Sequence, residues 1–158
     1  MIFRKAEKSE AEEIMALYRA VIGMPFCTWN EEYPGETEIL EGLSSETLYV
    51  LEEGGELIGS ISVVPENEID AFHCWKVKEN AREFARVVLR PDYQQKGLSV
   101  HLVEGVIQEF RKQRVPAIHI AVAKENIPAQ KLYMKTGFDF CGEANMYGHS
   151  FFLCEKIL

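Results

Sequence analysis

The stretch 87–99 constrains the fold more than any other part of this chain, because one element ends and another begins within it. The run at 82–89 has the apolar, β-branched content of a buried strand, and Pro91 closes it. From Leu98 onward, apolar residues recur at helical spacing. The pattern therefore predicts a strand that passes through one short turn into a long helix at 98–112.

The turn itself has the features of an anion-binding site. The first N–H groups of a helix lack intrahelical partners, and the helix dipole adds positive character beside them. Gly97 lets an anion approach the backbone closely, and Lys96 supplies a flexible cation. The turn thus fits a pyrophosphate, although an ordinary strand-to-helix connection accounts for the same residues equally well. Neither the P-loop pattern nor the Rossmann glycine pattern is present.

Hydrophobic periodicity and turn residues predict a mixed α/β chain in the order β-α-α-β-β-β-α-β-α-β-β. The predicted strands are 1–6, 47–51, 57–64, 82–89, 117–122, 138–142 and 151–157. The predicted helices are 11–22, 37–43, 98–112 and 128–136. The polar stretch 66–80 fits either a strand extension or a loop, and its assignment stays open.

Local signals indicate where these elements begin and end. Ser9 and Glu12 have the spacing of a capping box for the first helix. Gly54 and Gly55 lie between two strand-like runs, which predicts a tight hairpin. Gly137 follows the last periodic residue of the fourth helix and predicts its C-terminal cap.

Composition bounds the class of protein. A length of 158 residues, with 47% hydrophobic and 27% charged residues, fits one soluble domain spanning 1–158. A net charge of −8 disfavours nucleic acid and anionic membranes as partners. The four cysteines form no C-x-x-C pair, and neither a signal peptide nor a membrane-length apolar run is present, so a cytoplasmic protein is expected. The four histidines lack metal-ligand spacing, which predicts no metal site.

The turn and a second block downstream together resemble the GNAT N-acetyltransferases. Residues 94–99 read Q-x-x-G-x-S, which is similar to the family's motif A, Q/R-x-x-G-x-G/A, and Ser99 is the departure from it. The second block, N-x-x-A-x-x-L-Y-x-x-x-G-F at 126–138, is similar to the family's second signature. The resemblance is tight over 82–140, and the order of strands extends it to nearly the whole chain.

This resemblance implies a GNAT fold, in which helices flank a central mixed, mostly antiparallel sheet whose fourth and fifth strands splay apart. It also implies acetyl-CoA as co-substrate, with pantetheine in the gap between those strands and a backbone N–H that polarises the thioester carbonyl. By the same resemblance, the cofactor-binding residues are Val88, Leu89, Gln94, Gln95, Lys96, Gly97, Leu98, Ser99 and Asn126. Asn126 also fits a plain helix N-cap.

The resemblance assigns the two proton transfers of the reaction. Tyr133 occupies the place of the family's general acid, which protonates the departing thiolate, although a core-packing tyrosine fits the same pattern. Glu83 stands where the histone-acetylating branch carries its catalytic base, although an exposed strand glutamate is equally compatible. A water chain is an alternative to Glu83, and His119, His73 and Cys74 are weaker candidates.

The predicted activity is the transfer of an acetyl group from acetyl-CoA to the amine of a small-molecule or peptide acceptor by direct attack. Two other interpretations keep the fold: a CoA-binding regulator without turnover, and an enzyme that uses another acyl-CoA. The aromatic residues Phe26, Trp29, Tyr33 and Trp75 either line the acceptor pocket or pack in the core. A homodimer would match many proteins that the chain resembles.

Overall fold

The computed structural model of this protein describes residues 1–65 and 68–158. The strands are β1 (Ile2–Lys5), β2 (Leu48–Glu53), β3 (Glu56–Val64), β4 (Arg82–Leu89), β5 (Ala117–Ala123), β6 (Asp139–Met146) and β7 (His149–Ile157). The α-helices are α1 (Ala11–Ala20), α2 (Glu36–Ser44), α3 (Ser99–Lys112) and α4 (Ile127–Lys135). Short 3-10 turns cover Lys8–Glu10, Glu68–Ala71 and Pro91–Tyr93. The predicted order of strands and α-helices is confirmed.

The strands are hydrogen-bonded in the order β1-β2-β3-β4-β5-β7-β6. Pairing is antiparallel between β1 and β2, β2 and β3, β5 and β7, and β6 and β7. By contrast, β4 and β5 run parallel, in a register that joins Arg82 with Ile118 and Glu83 with His119. The expected mixed, mostly antiparallel sheet is therefore confirmed, and the short register between β4 and β5 agrees with the splayed strands of a GNAT fold.

The chain forms two compact units, and each is described by itself below. The first unit comprises Met1–Val63 and Ala85–Val106, and the second comprises Val64–Phe84 and Ile107–Leu158. Both β4 and α3 contribute residues to each unit. Within the described residues, no helix combines the length and apolar character that crossing a bilayer requires.

The core of the first unit forms because α1 and α2 each carry one apolar stripe. In α1, Ile14, Leu17 and Tyr18 recur at helical spacing and are buried. Ile39 and Leu43 of α2 pack into the same cluster. Side chains from the strands complete it: Leu48, Val50, Leu57 and Val88. Each fully buried aliphatic side chain contributes about 1.5–3 kcal/mol, so this cluster holds both helices against the strands.

The second unit is organised around Trp75, an aromatic residue in the stretch that the sequence left unassigned. Its indole Nε1 donates to the carbonyl oxygen of Ile69 at 2.8 Å. Its ring stacks on the imidazole of His119, with centroids 3.9 Å apart. Over its described part, the stretch is a 3-10 turn followed by irregular loop, and residues 66 and 67 of that assignment lie outside the described residues.

The capping box predicted at Ser9 and Glu12 is wrong. The first turn instead uses Glu7 and Glu10, and the Oε1 atom of Glu10 accepts the backbone N–H of Glu7 at 2.8 Å. Arg4 favours this arrangement, because its guanidinium donates to both carboxylate oxygens of Glu10 at 2.9 and 2.7 Å. The correct N-cap therefore depends on a residue of β1 that lies outside the local capping pattern.

The predicted glycine turns are confirmed. Gly54 and Gly55 connect β2 to β3 with φ values of +59° and +83°. A two-residue hairpin of this kind needs left-handed backbone at both positions. Gly137 ends α4 with φ of +92°, a value that favours glycine at a helix C-terminus.

Candidate active site

The turn that follows β4 presents backbone donors at the start of α3. Gln95 and Gly97 have left-handed φ values of +62° and +73°, and the turn is exposed between them. In the described part of the chain, the N–H groups from Gln95 to Ser99 donate to no backbone carbonyl. A Cβ atom on Gly97 would meet nothing within 4 Å, so open space lies beside it. This geometry fits the predicted anion site.

The side chains of the turn are less available than its backbone. The Nε2 atom of Gln94 donates to the carbonyl oxygen of Leu89 at 2.9 Å, so this amide braces the end of β4. The Nζ atom of Lys96 lies 5.6 Å from the ring centroid of Tyr93. That exposed cation–π contact is weak enough for a phosphate to replace it. An anion at the turn would therefore meet backbone N–H groups and the Lys96 ammonium.

The last residues of β4 can serve a ligand through their backbone alone. The side chains of Val88 and Leu89 are 4% and 5% exposed and belong to the interior of the first unit. Earlier in the same strand, Arg86 has φ of +55°. A left-handed residue inside a strand is typical of a bulge, which locally redirects the backbone and its side chains.

Asn126 is the N-cap of α4. Its Oδ1 atom accepts the backbone N–H of Ala129 at 3.2 Å. Gln130 in the first turn then donates to the carbonyl oxygens of Ala123 and Lys124 at 3.1 and 2.8 Å, which ties the helix to the end of β5. The capping role that the sequence left open is confirmed, and a contact between Asn126 and the cofactor stays a prediction.

Tyr133 lies on α4 within an aromatic cluster of the second unit. Its ring centroid is 5.9 Å from that of Phe84 and 5.7 Å from that of Phe138. Burial raises the pKa of Tyr133, and the nearby Cys154 acts in the same direction. The phenol therefore keeps its proton at neutral pH, as a proton donor must. Tyr133 therefore packs in an aromatic cluster, as a core residue does, and keeps its proton at neutral pH, as a general acid must.

A row of ionisable side chains crosses β4, β5 and β7 on one face of the second unit. Strand register joins Glu83 to His119 and His119 to Glu155, and these residues are 7%, 3% and 4% exposed. The Nε2 atom of His119 lies 2.8 Å from the Oε2 atom of Glu155. An ionised carboxylate can only accept, so this nitrogen carries the proton. Glu155 also accepts the backbone N–H groups of Lys76 and Val77, both at 3.0 Å.

The exposed-strand interpretation of Glu83 is wrong, because the residue is buried. It lines a cavity of about 440 Å³ whose other polar walls include Asp70, Asn80 and Arg114. Successive side chains of a strand point to opposite faces, and the neighbouring Phe84 contacts the Tyr133 ring. Glu83 and Tyr133 therefore approach β4 from opposite faces.

The aromatic residues proposed for the acceptor pocket have different environments. Trp75 is 3% exposed and packs in the core of the second unit, so the pocket assignment is wrong for it. Trp29 packs edge-on against Tyr18, with centroids 5.5 Å apart. Tyr33 and Phe26 are 47% and 48% exposed. Of the four aromatic residues, Phe26 and Tyr33 are therefore the two that are exposed.

The minor base candidates also have defined surroundings. The Cys74 and Cys141 Sγ atoms lie 3.0 Å apart, and burial first and then the Cys74 hydrogen bond raise the pKa of the Cys141 thiol. His119 is held by Glu155, as described above. His73 is exposed in the loop that precedes Cys74.

Sequence patterns missed Glu155 and Arg86. Both are charged residues inside runs with strand character, at 151–157 and 82–89. A charge within an apolar strand is a signal that sequence can supply, because burying it requires a partner. The partner itself comes from distant residues and only becomes visible in the folded chain.

Comparison with known proteins identifies the class that this geometry defines. The model of the acetyltransferase (GNAT) family matches residues 14–138, and the protein belongs to that family. The L-methionine sulfoximine/L-methionine sulfone acetyltransferase of Pseudomonas aeruginosa is 24% identical, covering 94% of this chain and 86% of its own. The L-2,4-diaminobutyric acid acetyltransferase of Virgibacillus pantothenticus is 31% identical over 57% of this chain and 51% of its own.

A solved structure supports the same fold. A Salmonella typhimurium protein whose structure contains its cofactor acetyl-CoA superimposes with a TM-score of 0.77, at 19% identity, covering 100% of this chain and 94% of that one. The protein described here is accordingly an acetyl-CoA-dependent N-acetyltransferase, with acetyl-CoA as co-substrate. The open space beside Gly97 and the available N–H groups of its turn fit the pyrophosphate of that molecule.

Proposed function

We propose that this enzyme acetylates the amine of a small-molecule acceptor of the amino-acid type, by direct attack of the amine on the thioester. The turn at Gln95–Ser99, with its available backbone donors, carries the donor half of the proposal. The acceptor half is supported by two relatives named for L-methionine sulfoximine or sulfone and for L-2,4-diaminobutyric acid. These substrates share an amine on a small carbon skeleton, which favours a small molecule over a peptide.

The residues of the chain divide the work of binding and proton transfer. When bound, acetyl-CoA supplies an acetyl group activated as a thioester. The turn around Gly97 and the Lys96 ammonium hold the pyrophosphate, and the backbone of Val88 and Leu89 aligns the pantetheine arm. Glu83, or water bonded to it, takes a proton from the acceptor ammonium. The neutral amine then forms the new C–N bond as the C–S bond breaks, without an acyl-enzyme. The nitrogen releases its second proton to solvent, and solvent returns a proton to the Tyr133 phenolate.

Tyr133 completes the transfer by donating its phenolic proton to the departing sulfur. Its raised pKa keeps that proton in place at neutral pH. Glu83 and Tyr133 reach β4 from opposite faces, which suits one group that receives a proton from the incoming amine and another that delivers one to the leaving group. A single domain spanning 1–158, a cytoplasmic location and a homodimer stay predictions.

The test is thiol release from acetyl-CoA with L-methionine sulfone and L-2,4-diaminobutyric acid, alongside calorimetric acetyl-CoA binding. Replacement of Tyr133 by Phe should lower kcat by about 100-fold, a typical loss for a general acid, while the Kd for acetyl-CoA stays unchanged. Tyr147→Phe is the matched control, since Tyr147 is 72% exposed in the turn between β6 and β7. Equal turnover by the Tyr133→Phe variant and the wild type would remove Tyr133 from the mechanism.

Binding without thiol release would instead support a CoA-binding regulator. Substitution of Glu83 by Gln separates the two possibilities for the base. A water chain independent of Glu83 predicts little loss of kcat, whereas direct proton transfer predicts a loss of about 100-fold or more.

A further inference from the structure

Two free cysteines of the second unit contact each other between a loop and a strand. The Sγ atom of Cys74, in the loop that precedes β4, lies 3.0 Å from the Sγ atom of Cys141 in β6. The two residues are 67 positions apart in the sequence, so only the fold brings them together. Bonded sulfur atoms lie about 2.0 Å apart, so a movement of about 1 Å would bring these two to bonding distance.

An irregularity in β6 builds this contact. The register of β6 on β7 shifts between Phe140 and Gly142, so Cys141 is the extra residue of a β-bulge. The adjacent Gly142 makes room for the loop, because a Cβ atom there would lie 3.1 Å from both the Cβ and the Sγ atoms of Cys74. Bulges redirect side chains at functional positions, and this bulge, with the glycine beside it, places one thiol against another.

The surroundings distinguish this pair from the other cysteines and give its members different roles. Cys74 and Cys141 are half-buried, whereas Cys154 is 1% exposed and Cys27 belongs to the first unit. Burial, and then the hydrogen bond with Cys74, raise the pKa of the Cys141 thiol, so Cys141 keeps its proton at neutral pH. Attack on an oxidant requires a thiolate, and we therefore assign that first step to Cys74.

We propose that Cys74 and Cys141 form a reversible modification site, which closes to a disulfide when the enzyme reacts with a small-molecule disulfide. The Cys74 thiolate attacks one sulfur of that molecule, forms a mixed disulfide and releases the other half as a thiolate. Cys141 then gives its proton to the released thiolate and attacks the Cys74 sulfur, which forms the internal S–S bond and expels the second half. That half takes up the proton that Cys74 had lost to solvent. Two protein thiols are thus oxidised, and one small disulfide is reduced to two thiols.

The new bond would connect the loop to β6 beside the contacts that already order the loop. Trp75 stacks on His119, and the two residues after Trp75 donate their backbone N–H groups to Glu155. A crosslink between positions 67 apart restricts the unfolded chain, so oxidation should stabilise the folded protein. We expect the oxidised protein to melt about 5–15 °C above the reduced protein. The inference adds a response to redox conditions and holds for any acceptor.

The experiment incubates the reduced enzyme with oxidised glutathione and identifies the products by mass spectrometry and peptide mapping. In the wild type, the Cys74–Cys141 disulfide should exceed the glutathionylated protein by more than about tenfold, because the second thiol is already in contact with the first. Cys141→Ser should instead stop with one glutathione bound to Cys74. Cys27→Ser is the matched control and should form the internal disulfide as the wild type does. Dithiothreitol should return every form to free thiols.

Three results would overturn the modification site: a wild type that stays glutathionylated, a bridge that involves Cys154, or no reaction with oxidised glutathione. These results come from the wild type, so they stand even if Cys141→Ser folds poorly, which circular dichroism would show. Equal melting temperatures of the oxidised and reduced wild type would overturn the stabilising crosslink. None of these measurements depends on acetyl transfer, so their failure leaves the proposed function intact.

Discussion

Replacement of Glu155 by Gln should destabilise the protein by about 3 kcal/mol, because one amide cannot satisfy the donors that the carboxylate now accepts. The Oε1 atom accepts from Lys76, and the Oε2 atom accepts from Val77 and His119, at 3.0, 3.0 and 2.8 Å. A glutamine has one acceptor oxygen, so its NH₂ group must face at least one donor. An unsatisfied donor costs about 1–3 kcal/mol, and loss of the charge weakens the remaining bonds.

Urea unfolding followed by circular dichroism measures this difference in free energy of unfolding directly. In thermal unfolding, the melting temperature should fall by about 6–12 °C. Glu143→Gln is the matched control, because Glu143 is 63% exposed on β6 and pairs with Lys124 at 3.0 Å. An exposed ion pair of this kind contributes less than about 1 kcal/mol. If Glu155→Gln and Glu143→Gln shift unfolding equally, the buried carboxylate does not organise the second unit.

The pH dependence of the same variant provides an independent check. Burial raises the pKa of Glu155, but the donors of Val77, Lys76 and His119 outweigh it, so the pKa lies below its ordinary value of 4.5. The stabilising contribution is therefore complete above that ordinary value and is lost as the pH falls through the folded-state pKa. The wild type and Glu155→Gln should differ most near neutral pH and converge in acid. A constant difference down to pH 3 would refute the assignment.

Two further predictions concern glycines. Gly97→Glu should abolish acetyl-CoA binding in calorimetry by charge repulsion, whereas Gly97→Ala, which pays the same backbone cost at φ of +73°, should retain measurable affinity. Equal affinities would remove the pyrophosphate from this turn. Gly59→Ala should destabilise the protein by about 1–3 kcal/mol in urea unfolding, because its Cβ would lie 2.9 Å from the carbonyl oxygen of Val88. If the Gly59→Ala variant is as stable as the wild type, the backbone of β4 can shift to accommodate the added methyl group without cost.

Elements with strong local signals were predictable from the sequence. The bounds of β4 match the predicted strand at 82–89, because its apolar residues have strand character and Pro91 closes the run. The turn before α3 was predictable for a related reason, since Gly97 supplies the left-handed conformation that the turn adopts. Such features depend on neighbours in sequence, which is the information that periodicity and turn chemistry contain.

Features that depend on distant contacts were not predictable. Trp75 was compatible with a pocket or the core, and it packs in the core, where it contacts the carbonyl of Ile69 and the ring of His119. The Ser9 capping box failed because Arg4, a residue of β1, stabilises a competing carboxylate. The left-handed backbone of Arg86 leaves no mark in the sequence, because arginine is not a residue that a positive φ selects.

The chemistry of the His119–Glu155 pair bears on which interpretation of His119 is correct. Well-packed apolar residues can often replace a buried polar or ionic pair without loss of stability, so stability alone is a weak reason for Glu155 to be present. The carboxylate instead fixes the tautomer and the orientation of the imidazole. Because it accepts from Nε2, that nitrogen carries the proton, and the ring is held against Trp75. The same carboxylate orders the loop at Lys76 and Val77. Nε2 is hydrogen-bonded to Glu155 and the ring face stacks on Trp75, so Nδ1 is the remaining atom through which His119 could act as a base. A Glu155 variant that folds but loses turnover would support a role of His119 as a base.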